Sequence, residues 1–583
     1  MRRARGIGGL LSVALALCAA GSPVRAGRVL TAPEIAPGSG IEMKVTSAYE
    51  EIPPLGYLPI RVAIKNRTNA PRGWNFESTC VQASTRNTRF VTGLQVEPET
   101  EKVFDLLVPL SAQIDGSRRY ANLIISISGY GVTGDRNADL STGGRSSSST
   151  SFVGMGEALA VKNWGTIREN LEKKHTKSLE GTSLDLDFLP ADWRGLAGFS
   201  ILFFTDEEWR RIPAAQKGAI QDWVAQGGRL ILVGTGGTSD LPPPGSVGCG
   251  TIEIWPKADE VAADGTKAQN FDDNFVQQAA KVLDEDDKSP LAKSLGSYNQ
   301  SWAMAEKVGQ SEPPQALILG FVIVFATIVG PVNFLLFAPA GRRHRLFWTT
   351  PLISLGASLL LGAFILLSEG FGGRGLRYEA VLSLPADHKE VLWQEQVSRT
   401  GILTRTAFET SEPNLMIPLS LRVIRLRGES SHSYLLKDTT WSGDWFRNRA
   451  TQGQLMTTVV PTRGRLEIAT DASGTPTAIS SFEQPLEKCW YLDDEGKAWK
   501  AENMGPGEKK AMKSATTGEY IRDWNEALKE AGPVTVTAAT EFTQGTPRGK
   551  FFATTAALPQ PISSLKAIRW QKTGGLIYGL PAR

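Results

Sequence analysis

The sequence predicts a multidomain chain, α/β plus all-β, with a transmembrane helical hairpin inside it. Three observations predict this. Two apolar runs without charge, residues 316–337 and 346–368, flank a short arginine-rich loop. A strand, a helix and a second strand follow one another over 199–234, and short alternating strands punctuated by Gly, Pro and Asn fill much of the chain on either side. At 583 residues one hydrophobic core does not suffice, and about 100–200 residues per domain gives three or four units. An apolar content of 41% with 21% charged residues argues against both wholesale disorder and a polytopic transporter.

The chain opens on Arg2, Arg3 and Arg5, runs through apolar Ile7 to Ala20, and offers Val24-Arg25-Ala26 as a small-residue cleavage site. Residues 1–26 therefore read as a signal peptide cut after Ala26. Cys18 follows Leu17, which is too bulky for a lipoprotein cleavage site. The four arginines of this segment reduce the basic count from 63 to 59 against 60 acids, so the mature chain carries −1 rather than +3. A near-neutral body is a poor partner for nucleic acid. Cys80, Cys249 and Cys489 are far apart and lack metal spacing, which favours buried single thiols, with one bridge left open.

Residues 38–135 read as an extracytoplasmic β-sandwich of Ig-like type: "YLPIRVAIKNRT", "EKVFDLLVPL" and "YANLIISISGYG" alternate between turn residues. "GDRNADLSTGGRSSSSTS", 134–151, reads as a polar linker or exposed loop. Residues 150–256 form the α/β domain. "FSILFFT" is a buried strand, "PAAQKGAIQDWVAQGG" a helix with Pro213 at its start and Gly227-Gly228 as its stop, and "RLILVG" a second buried strand, which makes a βαβ unit of a parallel sheet. Residues 257–315 are acidic and partly helical and read as a linker; Asp284 to Asp287 lack the glycine of a calcium loop.

Residues 316–337 span 22 positions, about 33 Å of helix against a hydrocarbon core of about 30 Å. Residues 338–345 carry Arg342, Arg343 and Arg345 and are cytoplasmic by the positive-inside rule, so both large flanks are extracytoplasmic. Gly330-Pro331 is expected to kink or loosen the first helix, where Asn333 adds a polar group. Ser354, Ser358 and Gly362 form a small-residue stripe on the second, suited to close packing on the first helix or on another membrane subunit. Neither span contains Asp, Glu or Lys to carry an ion or proton, so the hairpin anchors rather than transports.

Gly370 to Gly375 reads as a flexible exit, and 376–583 as an extracytoplasmic β-rich, sandwich-like domain. Within it "GRLEIATDASGTPTAISSF" and "CWYLDDEGKAWKAENM" are hairpins, "TGEYIRDWNEALKEAG" is an amphipathic helix, and "PVTVTAAT" resumes as strand. Trp441, Trp445, Trp490 and Trp499 suit core packing better than a glycan platform. His388 and His432 have no ligand constellation around them.

The stretch "LPADWRGLAGFSILFFTDEEWRRIPAAQKGAIQDWVAQGGRLILVGTGG" resembles the class I glutamine-amidotransferase-like fold, a flavodoxin-like α/β arrangement, in the version found in uncharacterised bacterial membrane proteins and gliding-motility-type transporter accessories. The hairpin, with Gly330-Pro331-Val332-Asn333 and the arginine loop, resembles a family that joins an Ig-like domain, this α/β domain, two membrane helices and a β-rich C-terminus. The resemblance implies a bacterial envelope protein of the cytoplasmic membrane without an assigned activity. Catalytic amidotransferases need a nucleophilic cysteine at a strand-to-helix turn with a histidine base, whereas here the strand runs into Thr235-Gly236-Gly237. Cys249 and His175 are poor substitutes, and Gly234 to Gly237 lack the helix that a phosphate cradle needs.

These readings imply a non-enzymatic, membrane-anchored protein that needs no cofactor or metal. Its expected partners are the lipid bilayer and other membrane or envelope proteins, as an accessory of a transporter or surface assembly. The alternative is a glycan or small-ligand binder whose crevice lies at Thr235, Gly236 and Gly237. An enzyme built on Cys249, Asp206 or Glu207 is the third reading.

Overall fold

The computed structural model describes residues 28–30, 33–82, 86–112, 121–134, 138–141, 152–175, 179–234, 241–256, 271–284, 290–299, 302–308, 315–339, 341–419, 421, 432–470, 474–543, 547–556 and 562–582. The proposed signal peptide, the crevice residues Thr235, Gly236 and Gly237, and Glu285, Asp286 and Asp287 of the acidic run lie outside them.

The βαβ pattern forms as its periodicity dictates. Strands Glu180–Leu184, Phe152–Gly156, Ile201–Thr205, Arg229–Gly234 and Gly250–Pro256 run parallel in that spatial order, with Gly245–Val247 antiparallel at the edge. Alternation sorts the side chains between two cores. Val153, Met155, Ile201, Phe203, Ile231 and Val233 face the helices Glu157–Asn170 and Phe271–Asp284, while Leu202, Phe204, Leu230 and Leu232 face the helix Ala214–Ala225 and the rest of the molecule. Phe271–Asp284 is thus the helical cover of one sheet face: Phe275 stands edge-on to Phe203 and Trp255, an anchoring contact that a linker would not make.

Toward the N-terminus a four-stranded antiparallel sheet faces a second sheet containing Arg72–Gln82, Arg86–Val96, Ala121–Gly129 and Ala138–Ser141. Ala138–Ser141 comes from the segment expected to be a linker. The second sheet does not end at residue 135. His432–Lys437, from beyond the hairpin, adds in parallel to Arg86–Val96, and Thr440–Gly443 and Phe408–Glu409 follow it, giving seven strands.

A nine-stranded sheet is the main feature after the hairpin, with Gly373–Leu384 and Lys389–Thr400 at its centre and Ile568–Gly579 beside the former. The glycine-rich exit is ordered into this sheet: Gly372 donates to Ile402 O at 2.9 Å and Gly373 to Ala567 O at 3.2 Å. Both expected hairpins form, as Leu466–Thr470 with Pro476–Ser480 and Leu486–Leu492 with Ala498–Met504. "PVTVTAAT" does not resume as strand; Pro533–Thr543 is a helix. Its start is held by Glu395, a fully buried carboxylate of the central strand that accepts the Gly532 N–H at 2.6 Å and the Thr535 N–H at 3.4 Å. A carboxylate at the N-terminal amides of a helix outweighs the strand preference of Val and Thr.

The parts share one core. Tyr49 donates to Gly195 O at 2.8 Å, Tyr57 to Asn414 O at 3.2 Å, and Thr457 to Gln226 Oε1 at 3.1 Å. The segment leading into the first apolar helix is locked the same way: Tyr298 donates to Glu395, and Lys293 pairs with Glu541 at 2.9 Å.

Two helices are long and apolar enough to cross a membrane, over Leu319–Phe337 and Arg343–Ala363, with 6% and 0% of those windows buried. They are not core helices of the body, because Leu319, Phe347, Trp348, Leu352 and Leu359 are all more than half exposed. The first turns from α-helix to π-helix over Ile328–Phe337, around Pro331. Pro331 has no N–H to donate and its ring crowds the preceding turn, so the expected loosening takes this form.

Candidate functional site

Ligands of open parallel sheets bind beyond the C-terminal ends of the strands, where the strand order reverses. Here that point lies between Phe152–Gly156 and Ile201–Thr205. After Thr205 the chain turns into the short helix Asp206–Arg211 through a capping box: Thr205 Oγ1 accepts the Glu208 N–H at 3.1 Å, and Glu208 Oε2 accepts the Thr205 N–H at 2.9 Å. Glu208 Oε1 also accepts the Ala158 N–H at 2.9 Å, in the first turn of Glu157–Asn170. A Cβ on Gly156 would overlap this carboxylate, and one on Gly234 would overlap that of Asp206. The place where a doubly wound fold would seat an anion is therefore filled by the protein's own Glu208.

Asp206 is buried and pairs with Arg210 at 3.1 Å, whereas Glu207 is exposed. The two acids beside Glu207 thus hold structure together. The sequence contains the signal for this, Thr205-x-x-Glu208 directly after a buried strand.

Cys249 lies on the other face of the sheet from the π-helical turn Leu171–His175. Its N–H donates to Ala225 O at 3.0 Å and its thiol to Ala538 O at 3.4 Å, whereas Leu171 belongs to the core under Phe271–Asp284. Burial pushes the Cys249 thiol up, away from the thiolate a nucleophile needs. Cys249 and His175 are not brought together. Cys80, Cys249 and Cys489 are all free thiols, and no cluster of three metal-ligating side chains occurs among the described residues.

The four tryptophans are all buried. Trp441 of the shared sheet meets Trp445, in the turn that follows it, edge-on at 5.1 Å, while Trp490 and Trp499 belong to a separate hairpin, so no platform forms. An open concavity lies elsewhere, about 580 Å³, lined by His388, Pro461, Thr462, Arg463 and Arg465.

In the apolar helices, Asn333 is fully buried and its amide donates to Thr350 Oγ1 at 3.0 Å, joining the π-helical segment to the second helix. Gly330 and Pro331 lie in that segment, at its wide turn. Arg342, Arg343 and Arg345 are exposed in the connecting turn, and the Arg343 guanidinium lies 5.1 Å from the Phe334 ring centroid. Of the stripe expected to pack on the first helix or on another membrane subunit, little meets the first helix. Ser354 is half-buried, but Ser358 is exposed and a Cβ on Gly362 would meet nothing within 4 Å, because contact is made near the loop, through Asn333 and Thr350.

No protein-family model matches this chain, and no curated protein matches it.

Proposed function

We propose that this protein is a non-enzymatic, membrane-anchored envelope protein whose large extracytoplasmic body binds other membrane or envelope proteins. One observation carries this reading: strands from beyond the apolar hairpin complete a sheet begun before it, as His432–Lys437 does on Arg86–Val96. A hairpin flanked by two halves of one body is an anchor whose outer ends lie on one side, in agreement with the arginine-rich turn at the other end. The side chains that might have done chemistry support the same reading, since Asp206, Glu208 and Cys249 are taken up by packing and capping.

In this reading the resemblance to amidotransferase-like accessory proteins is one of scaffold, with Glu208 occupying the strand ends between Phe152–Gly156 and Ile201–Thr205. The test is to crosslink the tagged full chain in its native membrane and identify what co-purifies. Specific membrane subunits are the expected catch, and the outward Ser358 and Gly362 side of the second helix is the first surface to mutate. Hydrolysis of an amide, ester or glycosidic bond by the purified full chain, abolished by substitution of Asp206 or Cys249, would sink the proposal. A second reading, binding of a small anionic ligand, is favoured by the concavity around Arg463 and Arg465, and saturable ligand binding lost in Arg463→Gln would establish it.

A further inference from the structure

Four segments that are far apart in sequence converge where the body meets the second apolar helix. They are 370–376, 396–408, 445–454 and 562–571, holding one, two, two and two basic residues, seven in all, and no Asp or Glu. In the central strands the register sets Arg374 directly beside Arg399 on one side and beside Arg569 on the other. Directly paired residues of neighbouring strands share a face, so three arginines stand in a row across the sheet. Arg449 and Lys566 flank the row, through the bonds Arg449 N–H to Gly401 O at 3.0 Å and Gly373 N–H to Ala567 O at 3.2 Å.

Like charges paired directly across strands repel. Arg374, Arg399, Arg569 and Lys566 have no ion-pair partner among the described residues, and Arg374 and Arg569 are exposed. Arg374 reaches only a backbone oxygen, Val308 O at 3.4 Å. That contact fixes the place of the row. Val308 ends the helix Ala303–Val308, seven residues before the first apolar helix begins at Gln315, and Arg374 follows five residues after the second ends at Glu369. The row therefore follows closely on the outer end of the second helix and touches the segment that leads into the first. The opposite end of the twelve-residue strand Gly373–Leu384 is about 33 Å away.

We infer that Arg374, Arg399 and Arg569 form a docking row for the phosphodiester headgroups of anionic phospholipids in the outer leaflet of the membrane that the hairpin crosses. A guanidinium binds phosphate through two parallel N–H bonds, and a sheet of headgroups supplies the repeated anions that the row lacks within the protein. This rests on the reading of the hairpin as a membrane anchor.

The test uses the full chain purified in a non-ionic detergent, titrated with short-chain phosphatidylglycerol or phosphatidylcholine and followed by native mass spectrometry. Each membrane-surface cation is worth roughly a five-fold change in lipid affinity. The variant Arg374→Gln/Arg399→Gln/Arg569→Gln is expected to lose most of the preference for phosphatidylglycerol, and Arg399→Gln alone about five-fold. Lys497→Gln, an exposed cation at the end of the sheet aligned with Ser383, should leave the preference intact. In lipid-free detergent Arg399→Gln should melt at or above the temperature of the parent, because it relieves repulsion, and this keeps loss of binding distinct from loss of fold. Unchanged preference in the triple variant overturns the inference, as does displacement of the lipid by inorganic phosphate at equal concentration, which would mark a site for a soluble anion. Recovery of the chain from cells without detergent would instead fail the anchor reading, and this inference with it.

Discussion

Glu390 shows how one buried carboxylate sets a pH dependence. It is 6% exposed at the start of the strand Lys389–Thr400, and burial, opposed by a hydrogen bond with Thr462 and reinforced by Glu483, pushes its pKa up to about 7. The unfolded chain releases this proton near the ordinary value of 4.5. Between those values the native state binds more protons, so stability falls as pH rises from about 4.5 to about 7 and then levels off. The full effect is about 3 kcal/mol as an upper bound. Glu390→Gln should therefore stabilise the protein at pH 8 and flatten its melting temperature between pH 5 and 8; an unchanged slope would assign the pH dependence to other groups. Asn333 offers a second test at this scale. Its bond to Thr350 crosses the hairpin, and Asn333→Leu should cost about 0.6 kcal/mol, read as easier separation of the two helices in detergent.

Among the elements, those that follow local periodicity were legible in the sequence, and those fixed from a distance were not. Ile201–Thr205, Ala214–Ala225 and Arg229–Gly234 carry their own signals, namely a buried run, Pro213 at the helix start and Gly227 after its end. Pro533–Thr543 carries the opposite one, since Val534, Thr535, Val536 and Thr537 read as strand. Its helix depends on Glu395, 137 residues before Gly532. The Glu208 plug was half legible, as a capping box, but its bond to Ala158, 50 residues away, was not. The seven-stranded sheet is the clearest case of distance, because no pattern within Arg86–Val96 announces His432–Lys437 as its neighbour. Tyr434 packs there with its ring centroid 4.7 Å from that of Trp445, and Thr92 donates to Asp438 at 2.9 Å. Tyr434→Asp, which buries a charge in this contact, should cost about 3–5 kcal/mol. It should also raise hydrogen exchange in Arg86–Val96; exchange confined to 432–443 would mean that the N-terminal sheet stands without the added strands.

For the whole molecule, the shared sheet and the hairpin constrain one another. Strands on either side of residues 315–369 pair directly, so both flanks must occupy the same compartment before the seven-stranded sheet can close. In the proposed anchoring, two crossings return the chain to the side it left, as the shared sheet requires, and one would not. The proposal leaves only the turn with Arg342, Arg343 and Arg345 for the other side, and that turn is compact, with Arg342 N–H bonded to Pro339 O at 2.9 Å. The described cysteines suit a labelling test because none presents an exposed thiol. Cysteines introduced at the exposed positions Lys102, Glu495 and His344 would then report separately on the two flanks and the turn. A membrane-impermeant maleimide applied from outside the membrane should label Lys102→Cys and Glu495→Cys alike, and His344→Cys only after permeabilisation. Labelling of Lys102→Cys without Glu495→Cys would place the flanks in different compartments, and the pairing of His432–Lys437 with Arg86–Val96 could not then exist in the membrane-bound protein.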